Sequence, residues 1–333
     1  MFKVQKITIL ALICYGNLLA HDISSLKDFV SGLNSIQKAD SVRYFEHDER
    51  KIWNFIPKER NGLRWDALAK SQQAAFKISL KSFLSKEGIQ KTFEIMQLEE
   101  LVRIMEGRPI GDTRRDPSNY CINFYGKPGD DFWTFRYEGH HVSLNFSGMK
   151  DKIVSATPFF WGTNPAIAKE GPKKGLEVLK DEQRLPRALV CSLSSSQKSK
   201  AVVYAKTPRE LLTRAKSIAP PLDDNGLPYS EMTTNQQIKF IEIIDIYMRR
   251  YSKNVTSAIV KEWKKNDWKD YKFAWAGGTS IGDPHYYRIK GPVLLLEYCN
   301  TQGGANHLHT SIRDYQNDFG DDAFRKHLKD HHD

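Results

Sequence analysis

Histidines and carboxylates are concentrated in two segments of the chain at spacings that suit a metal centre. The C-terminal segment carries the larger set, in stretches typical of β-strands: His285, Glu297, Cys299, His307 and His309. A tight turn at Lys290-Gly291-Pro292 would place residue 285 opposite 297, and a hairpin at the glycine pair 303–304 would place 297 near 309 and 299 near 307. Side chains alternate with a period of two, so the spacing predicts that all five share one face of a sheet.

The second segment contains Glu138, His140, His141 and Asn145 around a strand that starts at a glycine. Adjacent residues of a strand point to opposite faces, so only one of the two histidines is expected in the site, and His140 is favoured. Imidazoles with one carboxylate are typical ligands of catalytic zinc and of non-haem iron. We therefore predict a divalent ion, zinc ahead of iron or copper, held by a set of five ligands: His140, His285, Glu297, His307 and His309.

Further residues would serve a reaction at this ion. Glu138 or Asp314 is predicted as the general acid or base. Arg313, Tyr287 and Trp275 are predicted to bind a small-molecule or glycan substrate, since arginine binds anionic groups and aromatic rings stack on sugars. The alternatives are a structural ion pair at Arg313 and Asp314, tryptophans that belong to the core, and buried histidines that only order the C-terminus through Asp314, Asn317 or Asp318.

The elements that must position these residues alternate between helical and β-rich sections. Helical periodicity runs through 65–107, and again through 175–181, 187–203, a stretch after Thr207, 233–251 and 255–268. Strand patterns fill 107–162 and 272–312, while a Pro-Pro pair and an Asp-Asp-Asn-Gly turn make 219–228 a loop. No internal repeat is evident. These patterns predict an α+β fold in which both β sections join one mostly antiparallel sheet covered by helices.

The N-terminal sequence has the pattern of an export signal. Lys3 and Lys6 precede a short apolar run that ends near Ala20, too short to span a membrane, and no later run is longer. We therefore predict a signal peptide at 1–20, an N-terminal leader at 21–46 and a single α+β domain at 47–333. The protein is expected to be secreted or periplasmic, without a membrane span.

Composition and motifs exclude several function classes. The three cysteines after residue 20 are too few for a dense disulfide framework, and no CxxC spacing exists for a zinc ribbon or a thioredoxin-like centre. The net charge of +10 is spread along helical segments without interleaved aromatics, so no nucleic-acid partner is predicted. A glycine-rich phosphate loop, a GxSxG elbow and an HExxH helix are all absent from the sequence.

Six strings in the chain carry a family resemblance. They are WNFIPKERNGLRW, FRYEGHHVSLNFS, PFFWGTNPA, FAWAGG, PHYYRIKGPVLLLEYCNTQ and NHLHTSIRDYQNDFGDDAFRKH. Between about His47 and His327 the chain resembles the domain-of-unknown-function family numbered 3500, a set of mostly exported bacterial proteins. The sequence departs from the family pattern at Cys299, where aspartate is usual, and at Ile312, where tryptophan is usual. The resemblance implies motif positions but no activity.

Together the residues favour an exported metal-dependent enzyme, a hydrolase ahead of an oxidoreductase. The alternative is a non-catalytic envelope protein that binds a metal or a glycan and whose histidines are structural. An enzyme requires an open cluster that water can reach, whereas structural histidines would be buried and hydrogen-bonded locally.

Overall fold

The computed structural model describes residues 22–171, 173–263 and 267–332. Its helices are α1 Ser24–Ser31, α2 Ser35–Ser41, α3 Lys70–Ser79, α4 Lys86–Met105, α5 Lys180–Cys191, α6 Ser195–Ala201, α7 Thr234–Met248, α8 Lys253–Trp263 and α9 Asp321–His332. Its strands are β1 Val42–Arg43, β2 Leu63–Arg64, β3 Cys121–Tyr125, β4 Trp133–Gly139, β5 Val142–Met149, β6 Lys152–Ser155, β7 Phe159–Thr163, β8 Leu227–Pro228, β9 Lys272–Gly277, β10 His285–Lys290, β11 Leu294–Gln302 and β12 His307–Asp314.

All the described strands belong to one sheet, in the order β1-β3-β4-β5-β7-β12-β11-β10-β9-β8, with β2 paired to β3 and β6 to β5. The pairing is antiparallel except between β1 and β3. The predicted α+β class, with both β sections in one mostly antiparallel sheet, is confirmed. Among the described residues, no helix is long and apolar enough to cross a membrane.

The two faces of the sheet differ in character. One face is apolar: rings such as Phe135 and Phe146 pack against helix residues such as Phe83 in the main core. The other face carries buried polar side chains and is covered by irregular segments. There Arg136 donates to main-chain carbonyls of residues 49, 50 and 52, and Arg288 to those of 223 and 225. The two buried guanidinium groups therefore fasten the covering segments to the sheet.

The helices on the two halves of the sheet repeat the same local structure. The side chains of Gln37 and Gln72 exchange hydrogen bonds of 3.0 and 2.8 Å between α2 and α3. Gln197 and Gln236 exchange bonds of 2.9 and 3.0 Å between α6 and α7. In each pair, the first glutamine completes a capping box at the start of its helix. Such a specific arrangement, present twice in the same order, indicates an internal repeat.

The strands follow the same repeat. In each half a two-residue strand, β2 or β8, pairs antiparallel with the first long strand, β3 or β9. Three further strands then lead toward the centre of the sheet, β4, β5 and β7 in one half and β10, β11 and β12 in the other. The halves meet where β7 pairs with β12. The repeat includes residues 22–46, predicted as a leader, because they form α1, α2 and β1, and Leu26 and Phe29 lie in the core. The sequence patterns predict no internal repeat; the structure differs, since the capping boxes, the amide pairs and the order of the strands recur in both halves.

Two local predictions are also wrong. Residues after Thr207 form no helix up to residue 218; they cover the polar face of the sheet as an irregular segment. The register between β10 and β11 differs by three residues from the predicted one, since His285 lies opposite Asn300 instead of Glu297. Because the shift is an odd number, it sends the two side chains to opposite faces. In the next hairpin His309 lies opposite Cys299 instead of Glu297. This register differs from the predicted one by two residues, an even number, so Glu297 and His309 remain on the same face of the sheet.

Candidate metal centre

Three imidazole rings converge near the centre of the sheet. His141 lies in the connection between β4 and β5, and His307 and His309 lie at the start of β12. The Nε2 atoms of His141 and His307 are 2.8 Å apart, those of His307 and His309 3.1 Å, and those of His141 and His309 3.2 Å. Two nitrogens bound to one zinc ion at about 2.0–2.1 Å lie about 2.9–3.4 Å apart at tetrahedral or right angles. The spacing of the three nitrogens therefore fits a shared ion.

Hydrogen bonds alone cannot satisfy this triangle. Each imidazole nitrogen has a single in-plane direction, occupied either by a proton or by a lone pair. Three hydrogen bonds around a triangle would require every nitrogen both to donate and to accept. A cation that accepts three lone pairs satisfies all three atoms at once, so the donor set fits a divalent metal.

A tight turn positions His141. Gly139 pairs with Val142, which leaves His140 and His141 as the two residues of a hairpin turn. His141 has φ of 62°, a left-handed conformation that non-glycine residues seldom adopt. Its N–H donates to the carbonyl of Phe55 at 3.0 Å, and its carbonyl accepts from the N–H of Gly162 at 2.8 Å. The turn frees His141 from strand alternation, so its ring can reach β12.

Gly162 lies directly against two ligand rings. A Cβ atom at this position would meet the Cδ2 atoms of His309 and His141 at 2.8 and 2.9 Å. Real Cβ contacts are not this short, so only glycine allows both rings to approach β7 as closely as they do. The glycine of the sequence string PFFWGTNPA is therefore part of the site.

Glu210 holds His309 from behind. Its Oε1 accepts from Nδ1 of His309 at 2.7 Å, which leaves the lone pair of His309 on Nε2, facing the other two rings. The carboxylate is itself fixed by the N–H of Leu211 at 2.8 Å and by the side-chain amide of Gln302 at 3.1 Å. A histidine supported by a carboxylate is the usual arrangement of a metal ligand.

Burial keeps two of the ligand rings, those of His141 and His307, neutral. His141 and His309 are almost fully buried, and His307 is half-buried. Burial and the neighbouring histidines lower the pKa of His141 well below its usual value, and the pKa of His307 to about 3. A metal binds the deprotonated imidazole, so His141 and His307 are in the required state at neutral pH.

A second polar group lies beside the first. Nδ1 of His140 contacts Oε1 of Glu99, and Nη1 of Arg115 lies 3.2 Å from the same nitrogen and 3.6 Å from Oε2 of Glu99. The rings of His140 and His141 stack with centroids 3.7 Å apart. Stacked rings cannot direct in-plane lone pairs at one nearby ion, so Glu99, His140 and Arg115 form a polar network next to the centre instead of a second metal site.

Comparison with known families matches nearly the whole chain. The family model described as Protein of unknown function (DUF3500) covers residues 20–321. The chain belongs to this family. No curated protein and no solved structure matches it.

In this DUF3500 protein the predicted ligands are only partly brought together. His307 and His309 lie side by side as expected, but the third ring is that of His141, because both histidines occupy a turn and strand alternation does not apply to them. His285 faces the helices, stacked between Trp275 and Tyr298. The structure therefore places it on the opposite side of the sheet from His309.

Glu297 lies on the same face as His309, but its carboxylate binds the irregular segment that covers this face of the sheet. Its carboxylate accepts from the N–H groups of Leu212 at 2.7 Å and Thr213 at 3.1 Å, and from the hydroxyl of Tyr286 at 2.9 Å. It is completely buried. The two-residue shift in register puts Cys299, rather than Glu297, opposite His309, which explains why this carboxylate does not reach the centre.

The two predicted acid–base residues have structural partners. Glu138 pairs with Arg60 at 2.9 Å and accepts from the N–H of Asn54 at 2.8 Å. Asp314 lies at the far end of β12 from His307, accepts from Trp263 at 3.3 Å, and has a pKa that burial raises. Residue 314 is five positions from residue 309 in the same strand, so the side chain of Asp314 points to the face of the sheet opposite to that of His309.

The three predicted substrate-binding residues are buried. Arg313 forms an ion pair with Asp318 at 2.6 Å and covers the ring of Trp53. It is therefore part of a structural ion pair, as the alternative interpretation of the sequence expected, but its partner is Asp318 and not Asp314. Tyr287 shares a hydrogen bond of 2.7 Å with the hydroxyl of Tyr247. Trp275 donates to the carbonyl of residue 277 at 3.1 Å within the core.

Sequence reasoning favoured His140 over His141, and it missed Glu210 and Gly162. A signal existed for His141, because two residues between strands of alternating pattern can form a hairpin turn. No comparable signal exists for Glu210, which lies in a segment whose pattern predicts a helix and which reaches His309 only through the tertiary fold.

Proposed function

We propose that this protein is a metal-dependent enzyme, a hydrolase, with a zinc ion held by His141, His307 and His309. The observation that carries the proposal is the convergence of three Nε2 atoms within 3.2 Å of one another, with Glu210 on the far nitrogen of one ring. Three protein nitrogens with a remaining open position are typical of catalytic zinc sites.

The internal repeat supports a functional role for these histidines. The hairpin between β10 and β11, which corresponds to the one that carries His140 and His141, has Gly291, Pro292 and Val293 in its connection. The fold therefore forms this hairpin without histidines. His140 and His141 occur in the hairpin of one half only, so the fold does not require them. A metal centre in that half would account for them.

The chemistry follows from the ligand set. A zinc ion with three histidine ligands supplies a bound water with a pKa near 7 and polarises the bond to be broken. Glu210 orients His309 through Nδ1. Glu99 and His140, in contact with the ligand His141, form the acid–base pair that we assign to proton transfer in place of Glu138 and Asp314.

A second candidate function is non-catalytic metal binding. The observation in its favour is that His141 and His309 are 2% and 4% exposed, so only His307 gives the ion a path to solvent. A closed centre would hold the ion without admitting a substrate.

The first test measures the metal content of the natively produced, untagged protein. We expect close to one equivalent of zinc, and its loss in His307→Ala, the variant that removes the least buried ligand. The matched control is His47→Asn, which replaces a half-buried histidine outside the centre and can keep its bond to the N–H of Glu49. Zinc that persists in His307→Ala would contradict the proposed ligand set.

The second test separates a catalytic from a closed centre. Cobalt replaces the zinc, and azide is added while the visible spectrum of the cobalt is recorded. A spectral change shows an open coordination position, and a screen of chromogenic ester, peptide and glycoside substrates follows. A cobalt spectrum that azide leaves unchanged would favour the non-catalytic function.

We also propose that the protein is exported. The support is the sequence of residues 1–20, a basic start followed by a short apolar run, which lies outside the described residues. Cell fractionation with N-terminal sequencing of the mature protein is the test. A cytoplasmic protein that keeps its first twenty residues would contradict export.

A further inference from the structure

A buried arginine on the helix-covered face lacks a counter-charge. Arg187 lies in α5 with its side chain directed at β10, and it is 7% exposed. Its Nε and Nη1 atoms are buried and make no hydrogen bond. Among the residues that the structure describes, no carboxylate lies within ion-pair distance of this guanidinium.

The one contact of its third nitrogen does not balance the charge. Nη2 of Arg187 is 3.5 Å from Nδ1 and 3.4 Å from Nε2 of His285, so its contact is with an imidazole and not with a carboxylate. Nδ1 of His285 donates instead to the carbonyl of Asp283 at 2.8 Å. Burial lowers the pKa of His285 to about 4, so the ring is neutral at physiological pH. His285 therefore contacts the guanidinium without supplying a counter-charge.

An unpaired buried charge is costly. Guanidinium remains protonated in proteins, so Arg187 cannot lose its charge as a buried lysine would. The penalty of an isolated ion in the interior is large unless an opposite charge and hydrogen bonds offset it. Two such nitrogens without an acceptor on one side chain thus call for a partner that carries negative charge.

We propose that Arg187 anchors a second ligand site, which binds the carboxylate or phosphate group of a small molecule on the face of the sheet opposite to the metal centre. Both groups offer the charged oxygens that guanidinium N–H groups bind most strongly. The site adjoins the end of β12 that carries the centre. Asn300 accepts from the N–H of His307 at 3.1 Å and donates at 3.1 Å to Gln183, one helical turn before Arg187.

The test compares thermal unfolding of the full chain in chloride buffer with unfolding after addition of inorganic phosphate or acetate at matched ionic strength. We expect at least one anion to raise the Tm of the wild type by about 2 °C or more. Arg187→Met should show no such rise, and in chloride alone its Tm should equal or exceed that of the wild type, because an unpaired buried charge is gone. The control is Arg184→Met, an exposed position of the same helix.

The two anions identify the ligand class: a response to phosphate alone indicates a phosphoryl group, and a response to acetate alone a carboxylate. His307→Ala keeps the response, which separates it from an anion bound at the metal centre. The proposal is overturned if neither anion stabilises the wild type, or if Arg187→Met responds as the wild type does. An Arg187→Met variant of lower Tm in chloride would likewise show that the arginine is structural.

Discussion

Replacing Glu210 with glutamine should weaken the metal centre without removing a ligand. The carboxylate accepts from Nδ1 of His309 at 2.7 Å and is held by Leu211 and Gln302, so its position relative to the ring is fixed. Glutamine can keep one acceptor oxygen but loses the negative charge that makes the far nitrogen of His309 a better donor to the ion. Loss of such a partner reduces metal affinity about 10- to 100-fold, which corresponds to about 1.4–2.8 kcal/mol.

The assay is competition for zinc between the protein and a chromophoric chelator at neutral pH. Glu231→Gln is the control, because it removes a surface carboxylate that pairs only with an exposed lysine, Lys200. Thermal unfolding of the metal-free proteins shows whether Glu210→Gln changes the fold itself. Equal zinc affinity for Glu210→Gln and wild type, with no binding by His307→Ala, would refute the role of Glu210 in orienting His309.

Three further predictions test the interior around the site. Burial lowers the pKa of His285 to about 4, so at this residue the folded state binds fewer protons than the unfolded state below pH 6.5, and His285 alone should account for up to about 3 kcal/mol of the stability that the wild type loses between pH 6.5 and pH 4. His285→Phe, which keeps the ring stack, should lose less in urea unfolding at the two pH values; equal losses would contradict the assignment. Gly162→Ala should displace both adjacent ligand rings and cost about 1–3 kcal/mol, and zinc affinity should fall, whereas Gly32→Ala, where a Cβ meets only ordinary contacts, should change neither. Gln72→Ala and Gln236→Ala each break the equivalent amide pair of one repeat, so the two variants should lose similar stability, about 1 kcal/mol per hydrogen bond; very different losses in chemical denaturation would argue against equivalent halves.

The candidate centre lies at the junction of the two halves of the repeat. Both halves use buried arginines, Arg136 and Arg288, to fasten covering segments to the polar face. Only one half adds histidines to its hairpin turn, and the partner ligands come from β12, the last strand of the other half. The centre therefore depends on the junction of the two halves and would not form within either one.

Local sequence patterns predict part of the fold and part of the candidate site. Alternation of apolar and polar residues predicted the strands, helical periodicity predicted α3, α4 and α7, and together they predicted one antiparallel sheet under helices. The spacing of His307 and His309 within one strand placed them side by side, because residues two apart share a face whatever the strand pairs with. These features depend on neighbours in the sequence, so the sequence by itself determined them.

Tertiary structure decided which other residues join that pair. Strand register depends on the conformation of each connecting loop, and a shift of three residues between β10 and β11 was enough to move His285 to the opposite face. His141 enters the centre through a left-handed turn, and Glu210 through an irregular segment held by Glu297. Such long-range contacts follow from packing of the whole sheet, which no local pattern of residues encodes.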